Sequence, residues 1–165
     1  MSVLADYTNS SLLVPALDSA DDCRAIAELS QLLQNERRIS NSADLIKAVI
    51  SRELLCSTAV APGWALPHGR LSDVPQLCFA LGRCRSPIKW FGSREPVRLV
   101  FLFVVPENAG AAYLSVVSGL ARLGQDSARA GQLLRAPDSQ SILEILQHTE
   151  LSSSQRRQRS LPVAG

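Results

Sequence analysis

Apolar residues recur at helical spacing in two stretches of the first third of the chain. The first covers residues 19–35, where Ser19 can cap a helix and two aspartates suit its positive start. The second begins near Asn41 or Ser42 and leaves Arg52 outside its apolar stripe. The apolar positions of the two stretches are Ile26, Leu29 and Leu33, and then Leu45, Ile46, Val49, Ile50 and Leu54. The pattern predicts two amphipathic helices, with Arg52 available for a polar role.

Further along, short apolar runs between turn residues predict strands. These runs are "WALP", "QLCFALGR" and "PVRLVFLFVVP", the last at residues 96–106. The last run is apolar almost throughout, which is typical of a strand that is covered on both faces. Helical patterns at 111–124 and 139–148 supply further cover. The chain is therefore predicted to form one α/β domain over residues 10–150, with helices on both faces of its sheet.

Two other segments lack such patterns. The stretch "SPIKWFGSREP" mixes proline, glycine and polar residues, which predicts a loop carrying Trp90 and Phe91. These two aromatics either serve a partner or pack over the sheet edge. Residues 151–165, "LSSSQRRQRSLPVAG", have three arginines and no apolar period. This composition predicts a disordered basic tail.

Composition and charge narrow the classes of function. Of the 165 residues, 46% are apolar, and 17 basic against 15 acidic side chains leave a formal charge of +2, too small to indicate nucleic-acid binding. No run reaches the roughly 18 apolar residues of a membrane span, and the first residues do not resemble a signal peptide. The four cysteines form no CxxC pair, which favours reduced thiols over a zinc site. We expect a cytoplasmic domain that needs no cofactor and neither binds nucleic acid nor inserts into a membrane.

His68 stands in a setting that favours chemistry. Pro67 cannot donate to a strand ladder, so we expect the "WALP" strand to end there, with Gly69 allowing the chain to turn after the histidine. A neutral imidazole that donates one ring N–H to a carbonyl keeps its other nitrogen as a lone pair, which can attack phosphorus. A structural or surface histidine is the alternative. These local features alone do not separate the two.

Residues 52–70, "RELLCSTAVAPGWALPHGR", carry a wider pattern. The stretch resembles the signature around the phosphorylated histidine in IIA domains of the bacterial phosphotransferase system, of the fructose, mannitol and nitrogen-regulatory type. In that family an arginine, a Ser-Thr pair, a Gly-rich turn and an Ala-x-Pro-His tetrad follow in this order. The matching residues here are Arg52, Ser57, Thr58, Gly63 and the tetrad 65–68. The resemblance implies a mixed β-sheet of the mannitol/fructose-type IIA fold.

The same resemblance implies a function. His68 would accept a phosphoryl group from an HPr-like carrier protein, which makes the chain a phosphotransferase component linked to sugar transport or nitrogen regulation. It would then pass the group to a IIB domain or signal to a regulated target protein through its phosphorylation state. We expect the nitrogen-regulatory kind, because the sequence shows a free single domain without a IIB part or a membrane segment.

The resemblance also implies roles for the neighbours of His68. Arg52 matches the family's phosphate-facing arginine, whose planar fork can hold two oxygens, and a solvated arginine on a helix surface is the alternative. Thr58 either donates its hydroxyl to the same phosphate or caps the turn. Arg70 either widens a positive rim for an acidic partner or is solvated.

The sequence departs from the family at two places. Where the family has a second active-site histidine, this chain has Tyr113, which is either a neutral hydroxyl donor to the phosphate or a core residue at a helix start. His148, near the tail, does not match and is expected to be exposed and idle. Ala59 and Ala61 replace common glycines, so we expect a stiffer turn. These departures favour an alternative function, in which a IIA-like module without phosphotransfer regulates a partner by docking.

Overall fold

A six-stranded mixed sheet covered by five α-helices makes up the fold of the computed structural model, which describes residues 1–60 and 62–152. The strands are β1 (Leu13–Leu17), β2 (Ala59–Val60), β3 (Trp64–Ala65), β4 (His68–Leu71), β5 (Cys78–Ile88) and β6 (Val97–Pro106). The helices are α1 (Asp22–Asn35), α2 (Ser42–Leu55), α3 (Gly110–Gln125), α4 (Ser127–Arg135) and α5 (Ser139–Gln147). Short 3-10 turns at Leu4–Tyr7 and Ser10–Leu12 precede β1. The predicted α/β class and mixed sheet are confirmed.

Strand β6 is the centre of the sheet. The strand order is β1-β5-β6-β3-β2, and β4 also pairs with β6. β5 runs antiparallel to β6, whereas β3 and β4 both run parallel to it. Trp64 of β3 lies opposite Leu99, and His68 of β4 lies opposite Phe103. The pairing with β6 therefore fixes the place of the histidine in the sheet.

Each face of the sheet has its own apolar core. On one face, aromatic side chains of β5 and β6, including Phe79, Phe101 and Phe103, pack against α3, α4 and α5. On the other face, α1 and α2 cover Val100 and Leu102. All residues of β6 except Arg98 are buried. The prediction that this strand is covered on both faces is confirmed, and it follows from its nearly continuous apolar sequence.

Polar side chains set where the first two helices begin. Asp21 caps α1 by accepting a hydrogen bond from the Arg24 amide, so the helix starts later than the predicted Ser19 cap. Asn41 caps α2 by accepting from the Ala43 amide, as the sequence predicts. Helices α3 and α5 match the predicted patterns, while no pattern predicts β1, β2 or α4. The aspartate caps α1 because its carboxylate satisfies an amide that the first helical turn leaves free.

The predicted strand end at Pro67 is wrong. β3 already ends at Ala65, and β4 resumes parallel pairing with β6 at His68, so the histidine begins a strand instead of following one. Between the two strands, the Pro67 carbonyl still accepts from the Phe103 amide of β6 at 2.9 Å. Gly69 does not turn the chain. It lies buried in β4 under α2, where a Cβ would come within 2.8 Å of Leu45 Cδ1. The glycine is required because helix α2 packs closely on this strand.

The predicted loop between β5 and β6 is shorter than expected. β5 continues through Ile88, and Trp90 is only 3% exposed, with its ring packed edge-on against Phe91. Of the two uses considered for these aromatics, packing over the sheet is the one observed. The Trp90 indole also enters the functional region described below.

The two ends of the described chain meet. Val3 forms a β-bridge with Glu150, and the Leu151 amide donates to the Ser2 carbonyl at 2.9 Å. Leu151 is buried, so packing extends to the first residue of the predicted tail. The rest of that tail, residues 153–165, lies outside the described residues. Within those residues, none of the helices has the length and apolar character that crossing a bilayer requires.

Candidate functional site

The His68 ring is half-buried and held by the backbone just before it. Its Nδ1 lies 3.4 Å from the Leu66 carbonyl oxygen. A carbonyl oxygen only accepts, so this contact places the ring proton on Nδ1 and leaves the lone pair on Nε2. The interruption of the strand at Leu66 and Pro67 provides that carbonyl, because it takes Leu66 out of the ladder.

The surroundings of His68 favour its neutral form. Burial lowers the pKa of His68 from the ordinary value of 6.5, and the positive charges of Arg52 and Arg70 lower it further. The Leu66 carbonyl and the charge of Glu53 oppose this shift without overcoming it. At neutral pH the ring therefore carries an unprotonated nitrogen that can act as a nucleophile.

Two arginines share an open depression with His68. Arg52, Arg70 and His68, together with Ala48, line a space of about 450 Å³. Arg52 comes from the last turn of α2, and its Nη1 donates to the Cys56 carbonyl at 2.8 Å. Arg70 follows His68 by two residues on β4, so both side chains emerge on one face of the strand. The structure thus brings the predicted arginines to the histidine.

Tyr113 also lies beside the histidine. It is in the first turn of α3, with its ring centroid 5.1 Å from that of His68 and 5.5 Å from that of Phe103. Burial raises the pKa of Tyr113 above its ordinary value of 10, so the hydroxyl keeps its proton. The N-cap residue of α3, Ala109, makes no side-chain hydrogen bond to the helix. The first turn of an uncapped helix therefore carries a protonated hydroxyl residue in ring contact with His68.

Thr58 is engaged by a residue that the sequence pattern did not single out. Glu53 is 2% exposed, and one carboxylate oxygen accepts from the Thr58 hydroxyl. The other accepts from the Thr58 amide at 3.0 Å and from the Trp90 indole N–H at 3.1 Å. The single hydroxyl proton of Thr58 is thus directed to Glu53, which favours the turn-fixing role considered for it.

The helical period contains a signal for Glu53. Leu45, Val49 and Glu53 are spaced four residues apart, and they are the buried residues of α2. Leu54, which residue type places in the apolar stripe, is instead 72% exposed. At the end of this helix, the four-residue spacing therefore predicts the buried residue correctly as Glu53, whereas residue type alone predicts Leu54.

The turn before β3 depends on Gly63. Its φ is 101°, and its carbonyl accepts from the Arg98 amide at 2.7 Å and from the Leu99 amide at 3.2 Å. An L side chain rarely adopts this backbone conformation, so glycine is required here. The turn ties the segment that carries Thr58 to β6. Ala59 lies in β2, whereas Ala61 is outside the described residues, so the predicted stiffness of the turn stays a prediction.

Exposed apolar side chains stand close in sequence to two residues of the site. Leu55, 84% exposed, follows Arg52 by one helical turn, and Leu114, 65% exposed, follows Tyr113 directly. Leu54 and Val60 are also exposed. His148 lies apart, exposed at the end of α5, where Nδ1 contacts the Glu144 carbonyl at 2.7 Å. The site therefore combines a histidine with an unprotonated ring nitrogen and two cations, with exposed leucines close in sequence to Arg52 and Tyr113.

Comparisons with known proteins agree with this architecture. The model of the family described as phosphoenolpyruvate-dependent sugar phosphotransferase system, EIIA 2, matches residues 7–149. A nitrogen regulatory protein of Bradyrhizobium diazoefficiens is 32% identical over 149 residues, which cover 87% of this chain and 94% of that protein. The solved nitrogen regulatory protein IIA-Ntr from Neisseria meningitidis has a TM-score of 0.80 and 31% identity, covering 88% of this chain and 99% of its own.

A second solved structure shares the fold at lower identity. In the complex of enzyme IIA mannitol and phosphorylated enzyme IIB mannitol from Escherichia coli, the matching chain has a TM-score of 0.71 and 17% identity, covering 84% of this chain and 96% of its own. The family match spans the β-sheet, the helices and the His68 segment together. The chain is a homologue of nitrogen regulatory IIA proteins, and it belongs to the EIIA 2 family of the phosphoenolpyruvate-dependent sugar phosphotransferase system.

Proposed function

We propose that the chain is a phosphocarrier in which His68 is reversibly phosphorylated on Nε2 by an HPr-like carrier protein. The observation that carries the proposal is the state of the ring: a half-buried imidazole with a lowered pKa and with Nδ1 against the Leu66 carbonyl. Such a ring offers its free nitrogen in one fixed direction. Preorganised nucleophiles of this kind suit phosphoryl transfer, where positioning supplies most of the catalysis.

In the proposed step, the Nε2 lone pair forms a bond to phosphorus while the nitrogen–phosphorus bond of the carrier's phosphohistidine breaks. The electron pair of the broken bond returns to the carrier's ring nitrogen. The hydrogen on Nδ1 of His68 stays in place, so the step needs no proton acceptor. The transfer is reversible because the same bond type is broken and formed.

The neighbours of His68 would stabilise the transferred group. Arg52 donates to the phosphoryl oxygens with its guanidinium N–H groups. It does so either after its hydrogen bond to the Cys56 carbonyl breaks, or with the N–H groups that this bond leaves free. Arg70 adds positive charge, and Tyr113 donates its hydroxyl from the opposite side. Thr58 acts through the turn that it fixes with Glu53, and its hydroxyl oxygen contributes no free proton.

Two observations support protein partners for this chain: its exposed leucines and the complex in which a protein of the same fold was solved. The exposed Leu55 and Leu114, close in sequence to Arg52 and Tyr113, suit contact with a protein, because such apolar contacts would hold the carrier's phosphohistidine close enough for transfer. The mannitol IIA chain with the same fold was solved with phosphorylated IIB. We extend this to a IIB domain or a regulated target as the acceptor here. Nitrogen regulation and a cytoplasmic location, which the free cysteines suit, are part of the proposal.

Intact-mass measurement tests the proposal. The chain is incubated with a phosphorylated HPr-like carrier and kept neutral to alkaline, because phosphohistidine is acid-labile. We expect a gain of one phosphoryl group that is lost in His68→Gln and retained in the matched control His148→Gln. A gain that persists in His68→Gln, or no gain with several carriers, would refute phosphorylation of His68.

A second candidate function is supported by Tyr113. It replaces the family's second histidine with a neutral side chain, so the site lacks one possible cation. A docking module without phosphotransfer would bind its partner equally well as wild type and as the His68→Asp mimic. The carrier proposal instead predicts that affinity differs between the two, and that Tyr113→His transfers phosphate at least as fast as the wild type.

A further inference from the structure

A second concentration of arginines lies at the other end of the central strand. Arg83, Arg85 and Arg98 line a cavity of about 320 Å³ together with the apolar residues Pro15, Pro87 and Leu134. Arg98 is near the start of β6, and Phe103, the partner of His68, is five residues further on. The cavity is therefore roughly 17 Å along the strand from the His68 site. None of its lining residues belongs to that site.

Arg83 is fixed in place without being neutralised. Its Nε donates to the Pro15 carbonyl at 2.8 Å and its Nη1 donates to the Leu133 carbonyl at 2.9 Å. Both acceptors are neutral backbone groups, and within residues 1–60 and 62–152 its Nη2 has no acceptor. Through these two hydrogen bonds Arg83 links β1 to α4, which is a structural role. They also hold a charged, partly buried guanidinium at the wall of a cavity.

Little negative charge balances this cluster. Among the described residues, Arg83 and Arg98 have no carboxylate within ion-pair distance, and Arg85 contacts Asp18 at 3.0 Å. Both members of that pair are well exposed, with relative side-chain areas of 65% and 82%, so the pair is weak and a competing anion can displace it. Residues 153–165 contain no acidic side chain. A second carboxylate, Glu28, lies near enough for its charge to raise the pKa of Cys84, which also lines the cavity. The cavity therefore presents three cations against the exposed Asp18 and the nearby Glu28.

We propose that this cavity binds the phosphate group of a small phosphorylated molecule, at a site separate from His68. Guanidinium groups match phosphate because their planar forks donate two parallel hydrogen bonds and are weakly hydrated. The cavity volume lies in the range of small-ligand sites, and the two prolines and the leucine can contact the organic part of such a ligand. Arg83 is held by two hydrogen bonds to backbone carbonyls and Arg98 is exposed, so one contact with the ligand is fixed in place and the other can adjust to it. The proposal does not depend on the function of His68.

The proposed phosphate site is tested by isothermal titration calorimetry with pyrophosphate at constant ionic strength. We expect one saturable site that is retained in the double variant His68→Ala/Arg52→Gln, because that variant removes the histidine and one of the two arginines of the His68 depression. Arg98→Gln should weaken binding at least about tenfold, since it removes hydrogen bonds to a charged ligand. Arg98 is exposed, so the folded state should survive, and the thermal midpoint checks this.

Arg24→Gln is the matched control for Arg85→Gln. Both arginines are exposed and pair with one aspartate, but Arg24 lies at the start of α1, away from the cavity. We expect weaker pyrophosphate binding in Arg85→Gln alone. The proposal is overturned if no saturable site appears, if binding is lost in the His68→Ala/Arg52→Gln variant, or if Arg24→Gln weakens it equally. Citrate that binds as tightly as pyrophosphate would overturn the preference for phosphate.

Discussion

Burial and two nearby cations set the protonation state of the His68 ring, while one backbone carbonyl sets its tautomer. Burial and the arginines lower the pKa, and the carbonyl of Leu66 holds the hydrogen on Nδ1. Burial and the arginines determine how much of the ring is neutral, and the carbonyl, which partly opposes that shift of the pKa, determines which nitrogen is free. A phosphoryl acceptor needs both, because a neutral ring with the wrong tautomer points its lone pair at a carbonyl.

The first prediction concerns the pH dependence of phosphoryl acceptance. Because the pKa of His68 is lowered below 6.5, the single-turnover rate should fall on acidification with a midpoint below pH 6.5, the midpoint expected for an unperturbed imidazole. Arg52→Gln removes a cation that lowers this pKa, so the fall should begin at a higher pH. NMR titration of the His68 ring carbons measures the pKa directly. Arg52→Lys keeps the charge and should leave the titration near that of the wild type, and an unchanged titration in Arg52→Gln would contradict this account.

At the scale of elements, the site depends on two contacts of α2. One is its close packing on β4, and the other is its attachment to the segment that carries Thr58. Gly69 lets the helix approach the strand, and Glu53 holds Thr58 and Trp90 from the end of that helix. Arg52 and Glu53 are adjacent in sequence but face opposite ways, one toward the depression and one into the protein. The last turn of α2 therefore serves both the chemistry and the rigidity of the site.

The second prediction tests the close packing at Gly69. In Gly69→Ala the new methyl group would meet Leu45 at 2.8 Å and Val49 at 3.3 Å, so the free energy of unfolding should fall by about 1–3 kcal/mol. Urea denaturation measures the loss. Gly110→Ala is the control, because no atom lies within 4 Å of the position that its Cβ would take and alanine suits a helix. A Gly69→Ala variant as stable as this control would show that the helix can move away without cost.

The third prediction concerns the buried carboxylate. Glu53→Gln keeps the size of the side chain but removes its charge, and its N–H₂ group can only donate. The Thr58 hydroxyl then has to accept from it and loses its own acceptor, and the bonds from the Thr58 amide and the Trp90 indole go to a neutral oxygen. The free energy of unfolding should fall by about 1–3 kcal/mol, and the Trp90 indole N–H resonance should shift. Glu144→Gln, on the exposed side of α5, should do neither. Equal stability of the two variants would show that the network around Glu53 is not important for the fold.

At the scale of the whole molecule, periodic segments were predictable and contacts between distant segments were not. The helices α1, α2, α3 and α5 and the buried β6 follow from their apolar spacing, and the His68 motif follows from its residue types. After Pro67, β4 returns to the sheet because His68 pairs with Phe103 of β6. The two residues are 35 positions apart in the sequence, so no local pattern could predict this pairing. Likewise, Glu53 meets Trp90 only because β5 and the segment after it fold over α2. β1 and α4 are too short or too polar to show a strong period.

The fourth prediction belongs to this scale, because it concerns the surface that a partner protein would meet. Leu55 follows Arg52 by three residues on α2, Leu114 follows Tyr113 directly on α3, and both are more than half exposed. We expect a partner that delivers a phosphoryl group to His68 to cover both leucines, so replacing them should weaken docking while leaving the core intact. Leu55→Ser and Leu114→Ser should each reduce affinity for the phosphorylated carrier about fivefold or more, while changing the free energy of unfolding by less than about 0.5 kcal/mol.

Calorimetric titration with the carrier measures the affinity, and Gln132→Ser, an exposed position on α4, is the control. Because transfer requires the docked complex, the loss should appear in the dependence of the rate on carrier concentration, with the rate at saturation unchanged. A saturating rate that falls with unchanged affinity would assign the leucines to the chemistry of the site. Full affinity in both variants would place the partner's contact elsewhere on the protein.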